Sequence, residues 1–274
     1  LRRGGNFSNE ELHQLFTTWN EGELKSYLIE ITAAIFKQPD PETGTHLVDQ
    51  ILDKAGSKGT GKWTSQIAMD LGVAIPTIDM AVTMRAISAL KTDRLTAEKL
   101  HTELTSRHAH ASATESLSLD KDALAEDCRK ALFAAVILSY VQGMAMLHTA
   151  SKELSMDIPL HNAVKVWRGG CIIRSTLLET FYEAYLRNPA ISNLLLDAKI
   201  ATVVASQISS LRKTVSLAAL NGFTAGGLMT ALSYYDAFTT GRLPLNLLQA
   251  QRDYFGAHTY ERVDREGKFH TQWT

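Results

Sequence analysis

Apolar positions recur along most of this chain at intervals of three and four residues, the spacing that gathers side chains onto one face of a helix. Ser8-Asn9-Glu10-Glu11 opens the first such segment as a capping box, the serine side chain capping the helix while the glutamate reaches back. Leu12, Leu15, Phe16 and Trp19 follow as one stripe, and after Gly22 a second stripe runs through Leu24, Leu28, Ile31 and Ile35. A loop over 38–45, with Pro39, Pro41 and Gly44, separates this pair from a short helix over 46–55 bearing Leu47, Val48, Ile51 and Leu52. The pattern next predicts a helix over 63–71 closed by Gly72, and another from Pro76 that sets Arg85 beside Ile78, Ala81 and Val82. Periodicity lapses over 93–119, which reads as an exposed connection, and returns in a long central helix from Asp120 to Leu154. Gly143 inside that helix is tolerable where a neighbouring helix packs closely. Short helices over 160–167 and 172–186 flank Arg168-Gly169-Gly170, whose glycines suit either helix packing or an anion nest. Further helices are expected over 197–220 and 228–238, and one from Leu243 leads into a polar, aromatic tail. No stretch alternates with period two for a useful length, and no repeat of fixed period occurs. The expected fold is all-α, a large multi-helix domain over 1–248 with an extended C-terminal tail over 249–274.

Composition narrows the function. With 274 residues, 45% of them hydrophobic, the chain can bury a substantial core. A net charge of −1 argues against a nucleic-acid or anionic-membrane surface. The most apolar run, 131–147, is interrupted by Ser139, Tyr140, Gln142 and Gly143 and falls short of the ~20 residues a membrane span needs, so it reads as core. Cys128 and Cys171 suit buried free thiols in a reducing compartment, the cytoplasm by default. His101, His108 and His110 lack a carboxylate or cysteine at a recognised ligand spacing, so no metal is expected. The chain begins at Leu1 without a signal-like start, which suggests a fragment of a longer protein.

The chemistry concentrates in Gly56-Ser57-Lys58-Gly59-Thr60-Gly61-Lys62-Trp63-Thr64. Glycines turn backbone N–H groups toward one point, a following helix start adds free donors, and the lysines add charge, so the stretch suits a phosphate. An ordinary connection with solvated lysines has the same composition. The spacing from Gly56 to Lys62 imitates a nucleotide-binding P-loop, but Trp63 stands where a magnesium-holding hydroxyl belongs, and the preceding segment has helical rather than strand spacing. Arg85 is either a surface charge or the edge of a pocket. In the tail, Arg252 and His258 would face opposite sides of a continuous helix, and the break at Gly256 can turn both toward one ligand. Lys58, Lys62, Arg85, Arg252 and His258, with the Thr60 hydroxyl, are therefore the candidates for an anionic site.

Three stretches, Lys58-Gly59-Thr60-Gly61-Lys62-Trp63-Thr64, Trp167-Arg168-Gly169-Gly170-Cys171-Ile172-Ile173-Arg174-Ser175 and Gln249-Ala250-Gln251-Arg252-Asp253-Tyr254-Phe255-Gly256-Ala257-His258-Thr259-Tyr260, resemble in order the signatures of 6-phosphogluconate dehydrogenase. That family performs the NADP-dependent oxidative decarboxylation of the pentose phosphate pathway. The likeness runs from about Asn6 to Trp273 and covers the C-terminal part of the family's usual chain. The resemblance implies that Lys58, Thr60 and Arg85 hold 6-phosphogluconate, chiefly its phosphate, and that Arg252 and His258 serve the partner subunit's site through a tail crossing a homodimer. Lys62 is left as structural. It implies NADP as cofactor without a metal, and places the Rossmann domain, the catalytic lysine base and the glutamate acid in segments that have no match here. Where relatives carry a proline-containing segment, this chain has Gly222-Phe223-Thr224-Ala225-Gly226-Gly227, which weakens the fine geometry expected there. A non-catalytic helical dimerisation module and a relative acting on another hydroxyacid phosphate remain as alternatives.

Overall fold

The computed structural model describes residues 1–108 and 120–273, the side chains of 105–108 excepted. The fold is all-helical, and among the described residues there is no β-sheet, only isolated bridges. Of the histidines from which no metal site is expected, His110 and the His108 side chain lie outside these residues.

After a single turn, α1 (Arg2–Gly5), the capped pair α2 (Asn9–Glu21) and α3 (Tyr27–Lys37) forms as its periodicity requires. Ser8 Oγ accepts the Glu11 N–H at 3.1 Å and Glu11 accepts the Ser8 N–H at 2.7 Å, completing the expected box. The Glu11 carboxyl is held at about 2, first by its hydrogen bond from Lys121 and then by the Ser8 donors. In α3 the buried face differs from the expected stripe. Ile29 and Ala33 are buried and Leu24 precedes them, whereas Leu28 and Ile35 are exposed. The start of α3 at Ser26, whose hydroxyl accepts the Ile29 N–H, sets a phase that turns Leu28 outward onto an open groove.

The helix expected over 46–55 is reduced to one turn, α4 (Leu47–Gln50), and Ile51 and Leu52 are exposed. Then come α5 (Thr60–Asp70) and α6 (Pro76–Ala89), with Gly72 in the left-handed region and proline at the start of α6. The connection expected over 93–119 is instead helical as far as His108, in α7 (Lys91–His108). Its residues are good helix formers without an apolar stripe, so propensity prevails where burial gives no signal.

The central helix α8 (Lys121–Glu153), capped by Asp120, is the longest element. By length and composition it could cross a membrane, longer than the apolar run alone suggested. Ala131, Ala134, Ile137, Leu138, Val141 and Met144 are nevertheless buried within the protein. Gly143 is not explained by close packing, because an added Cβ would make ordinary contact with Ile78 at 3.9 Å.

Beyond it lie α9 (Leu160–Arg168) and α10 (Leu177–Arg187), so 172–176, expected as helix, is not. Those residues pair with the start of α3 instead: Tyr27 N–H donates to Arg174 O and Thr176 N–H to Lys25 O, both at 3.1 Å. Gly170, at φ +97°, has nothing within 4 Å of an added Cβ, so conformation rather than helix packing requires it. A 3₁₀ turn at Leu194–Leu196 leads into α11 (Ala198–Leu220), capped by Asp197 and packed along α8. Cys128 and Cys171 are free thiols, only half-buried rather than buried as expected.

The chain divides into two compact units, Leu1–Leu232 and the residues from Ser233 onward. The division falls inside α12 (Gly226–Phe238), not at the 248/249 boundary expected from sequence, which lies within α13 (Asn246–Gly256). The reason is local: the residues after α13 fold back onto it, so helix and tail form one piece.

Candidate functional site

The glycine-rich turn owes its shape to two of its glycines. Gly59, with φ +101°, has open space around it, so its backbone conformation calls for glycine. At Gly61 an added Cβ would stand 3.0 Å from Val82 Cγ2, so small size brings the start of α5 close to α6. Thr60 is the first residue of α5, and no side chain caps that end. The first-turn N–H groups therefore face solvent with the positive end of the helix dipole behind them. Lys58, Thr60 and Lys62 are all exposed.

The segment leading into the turn is tied to the C-terminal end of α6. Ala55 N–H donates to Ser88 Oγ at 3.0 Å, and that hydroxyl donates to Arg85 O at 2.7 Å. Arg94 bonds the Asp53 carboxylate at 3.0 Å and the Ser88 carbonyl at 3.1 Å, while Lys91 lies 2.7 Å from Asp53. Hydrogen bonds from Lys91, then Arg94, hold the Asp53 carboxyl at about 2. Arg85 follows Val82 by one helical turn, on the side of α6 that meets the start of α5. Its side chain is exposed, and its guanidinium has no ion-pair partner among the described residues. Helix α6 is itself fixed: Ser65 donates to Asp79 at 2.6 Å, and the buried Gln142 pairs twice with Thr77, accepting its N–H and donating to its hydroxyl, each at 2.9 Å. An open hollow of about 710 Å³, lined by Lys62, Trp63, Gln66, Ile67, Asp70 and Val82, lies along α5. Lys58 and Thr60 thus stand at the turn into α5, and Arg85 lies on α6, the helix that Gly61 meets at Val82 and that holds Ala55 through Ser88.

Arg252 and His258 stand in the second unit, both exposed, at the end of α13. The helix closes through Ala257 at φ 50°, and Gly256 lets the His258 ring fold back, since an added Cβ would lie 2.7 Å from it. Asp253, fully buried, accepts Thr259 N–H at 3.0 Å, His270 Nδ1–H at 2.9 Å, Thr271 N–H at 3.1 Å and Trp273 Nε1–H at 2.9 Å. Burial pushes its pKa up, but the donors, His270 foremost, outweigh it and hold the carboxyl at about 2. Sequence reading passed over Asp253 because a lone acid between Arg252 and Tyr254 looks like a solvated charge.

The second family-like stretch does not join the anion candidates. Trp167, Ile172, Ile173, Arg174 and Ser175 line an apolar cavity of about 800 Å³ between α3 and α8. Tyr140 donates to Ile173 O there, and burial pushes its phenol up to about 12. Arg174 lies over the Tyr27 ring at 3.9 Å.

Chemically, the turn offers free backbone donors, a hydroxyl and cations, which suits a phosphate dianion. No strand precedes it, so a P-loop does not form. Among the described residues no group of three or more histidines, cysteines or acids is placed to hold a metal. Nor is there among them a strand–turn–helix of the kind that cradles a dinucleotide.

A family model described as 6-phosphogluconate dehydrogenase, C-terminal domain, matches residues 1–273. The chain is 50% identical over 266 residues to the NADP(+)-dependent, decarboxylating 6-phosphogluconate dehydrogenase of Bacillus subtilis, covering 97% of this chain and 55% of that one. It is 45% identical over 273 residues to decarboxylating 6-phosphogluconate dehydrogenase 1 of Oryza sativa subsp. japonica, covering 100% and 55%. Among solved structures, Plasmodium falciparum 6-phosphogluconate dehydrogenase, described in its apo form, with NADP+ and with 6-phosphogluconate, superposes with a TM-score of 0.90 at 39% identity, covering 99% of this chain and 57% of that one. The chain spans about half the length of the curated relatives it matches.

Proposed function

The chain belongs to the 6-phosphogluconate dehydrogenase family, matching its C-terminal domain, and from that premise we propose that it clamps the substrate phosphate and forms the dimer of an NADP-dependent, decarboxylating enzyme. The observation that carries this reading is the uncapped start of α5, with Thr60 as its first residue, Lys58 in the turn just before it and Arg85 on the helix that anchors the turn. A phosphate seated there would receive the first-turn N–H groups and the Thr60 hydroxyl while Lys58 and Arg85 neutralise its charge.

Holding the phosphate end orients the rest of 6-phosphogluconate for oxidation and loss of carbon dioxide to give ribulose 5-phosphate. Binding energy collected at a remote, unreacting group in this way serves to position the reacting one. Hydride and proton transfer we assign to the family's NADP site, lysine base and glutamate acid rather than to the clamp residues. Arg252 and His258 complete the clamp on the partner subunit, carried there by the tail. The large apolar side chains left exposed, among them Trp63, Ile67, Met69 and Phe255, support a subunit interface. A cytoplasmic location fits the two free thiols, although relatives include chloroplastic enzymes.

Thermal unfolding with and without ligand tests the proposal. At about 100 times the dissociation constant, 6-phosphogluconate should stabilise the protein by about 2.7 kcal/mol, whereas gluconate, lacking the phosphate, should not. No shift with 6-phosphogluconate in a folded dimer would favour the dimerisation module. A larger shift with a different sugar acid phosphate would favour another substrate.

A further inference from the structure

The tail turn that presents His258 is held in a conformation its residues do not favour. Ala257 and Thr259 have φ of 50° and 59°, the left-handed region, and a β-branched residue there is a genuine outlier. Such residues are strained there, so the turn persists only where its surroundings over-determine it. Thr259 is gripped at both of its backbone groups: its N–H donates to Asp253 Oδ1 at 3.0 Å, and its carbonyl accepts from Gln249 Nε2 at 2.6 Å.

The other grip on Asp253 comes from the far end of the tail. Thr271 N–H, Trp273 Nε1–H and His270 Nδ1–H all converge on the same carboxylate. A two-residue antiparallel bridge brings that end back, Tyr260 and Phe269 exchanging N–H to carbonyl bonds of 2.8 Å, with the Tyr260 and Thr271 hydroxyls 2.6 Å apart. Arg252 and His258 both remain exposed. The buried carboxylate joins the helix bearing Arg252, the turn bearing His258 and the returning segment 270–273.

We infer that Asp253 is the positioning residue of the tail, fixing the turn on which His258 is displayed and its register against Arg252, so that both meet the phosphate as a preformed pair. The inference rests on the phosphate reading above. Asp253 touches no substrate; it acts through its neighbours. Without its charge the turn relaxes toward ordinary backbone angles, and each binding event must order it again.

Steady-state turnover of 6-phosphogluconate by the complete enzyme tests this, using Asp253→Asn and, as a milder change, Trp273→Phe, which removes one donor. The KM for 6-phosphogluconate should rise about ten-fold for Asp253→Asn and about two-fold for Trp273→Phe, with kcat within about two-fold in both. A merely structural role would lower kcat by reducing the active fraction while leaving KM alone, and that result overturns the inference. Should Asp253→Asn fail to fold, Trp273→Phe decides: an unchanged KM counts against positioning. Arg252→Ala and His258→Ala keep the two readings separate. If they leave KM unchanged, the phosphate reading itself fails; if they raise it and Asp253→Asn does not, only the positioning role is lost.

Discussion

The two candidate halves of the phosphate clamp are built in opposite ways. The turn around Lys58 and Thr60 is made of backbone: a left-handed Gly59, a close-packed Gly61 and the bare start of α5. The tail around Arg252 and His258 hangs on one side chain, the buried Asp253, on which backbone N–H groups of Thr259 and Thr271 and the ring N–H groups of His270 and Trp273 converge. A backbone site needs little more than glycine and a helix and tolerates changes in its surroundings. A side-chain site concentrates its geometry in one group and fails with it.

That contrast can be broken most sharply at the charges themselves. Arg252→Ala should weaken 6-phosphogluconate binding by about 100-fold, the loss of a bidentate charged contact, measured by calorimetric titration of the complete dimer. Lys58→Ala should cost about ten-fold in the same titration, because the helix start remains to hold the phosphate after a point charge is lost. Equal losses at both positions would erase the distinction.

Gly256→Ala sharpens it further. Alanine in a helix is worth up to about 1 kcal/mol over glycine, and the His258 ring that its Cβ would meet can swing aside, so the melting temperature should hold or rise. Affinity for 6-phosphogluconate should nonetheless fall about five-fold as the displaced imidazole leaves the clamp. Ser88→Ala, by contrast, removes the hydroxyl joining Ala55 to Arg85 and should lower affinity only about two-fold, since Asp53, Lys91 and Arg94 still anchor the segment.

Acid separates the halves by a different route. Asp253 has a folded pKa of about 2, below the ~3.9 of an unfolded aspartate, so its contribution is present above about pH 4 and is lost as pH falls toward 2. The Trp273 indole N–H resonance should move across that window in the wild-type protein and stay featureless in Asp253→Asn. The carboxylate at Asp53 follows the same sign, but its ion pairs are solvent-exposed and its loss should leave the Gly59 turn intact.

How much of this was legible in the sequence follows the same division. Helix positions with caps and stripes, such as Ser8 to Glu21 and Asp120 to Glu153, could be read because local spacing and local burial agree there. The Lys58–Lys62 turn was equally readable, since glycine requirements are written into adjacent residues. Residues 46–55 misled because Leu47, Val48, Ile51 and Leu52 imitate a helical stripe, although Asp53 and Ala55 are held elsewhere by Arg94 and Ser88, distant in the chain. The phase of α3 was hidden for a related reason, its apolar residues being too many to mark one face. Asp253 could not be found at all from its neighbours, as its partners come mainly from 270–273.

The most direct test of the clamp is a crystal structure of the dimer with 6-phosphogluconate bound. The account predicts the phosphate at the start of α5, within hydrogen-bond distance of the Thr60 hydroxyl and first-turn N–H groups, with Lys58 and Arg85 beside it and Arg252 and His258 arriving from the partner subunit. A phosphate seated elsewhere, with that helix start open to solvent, would contradict it.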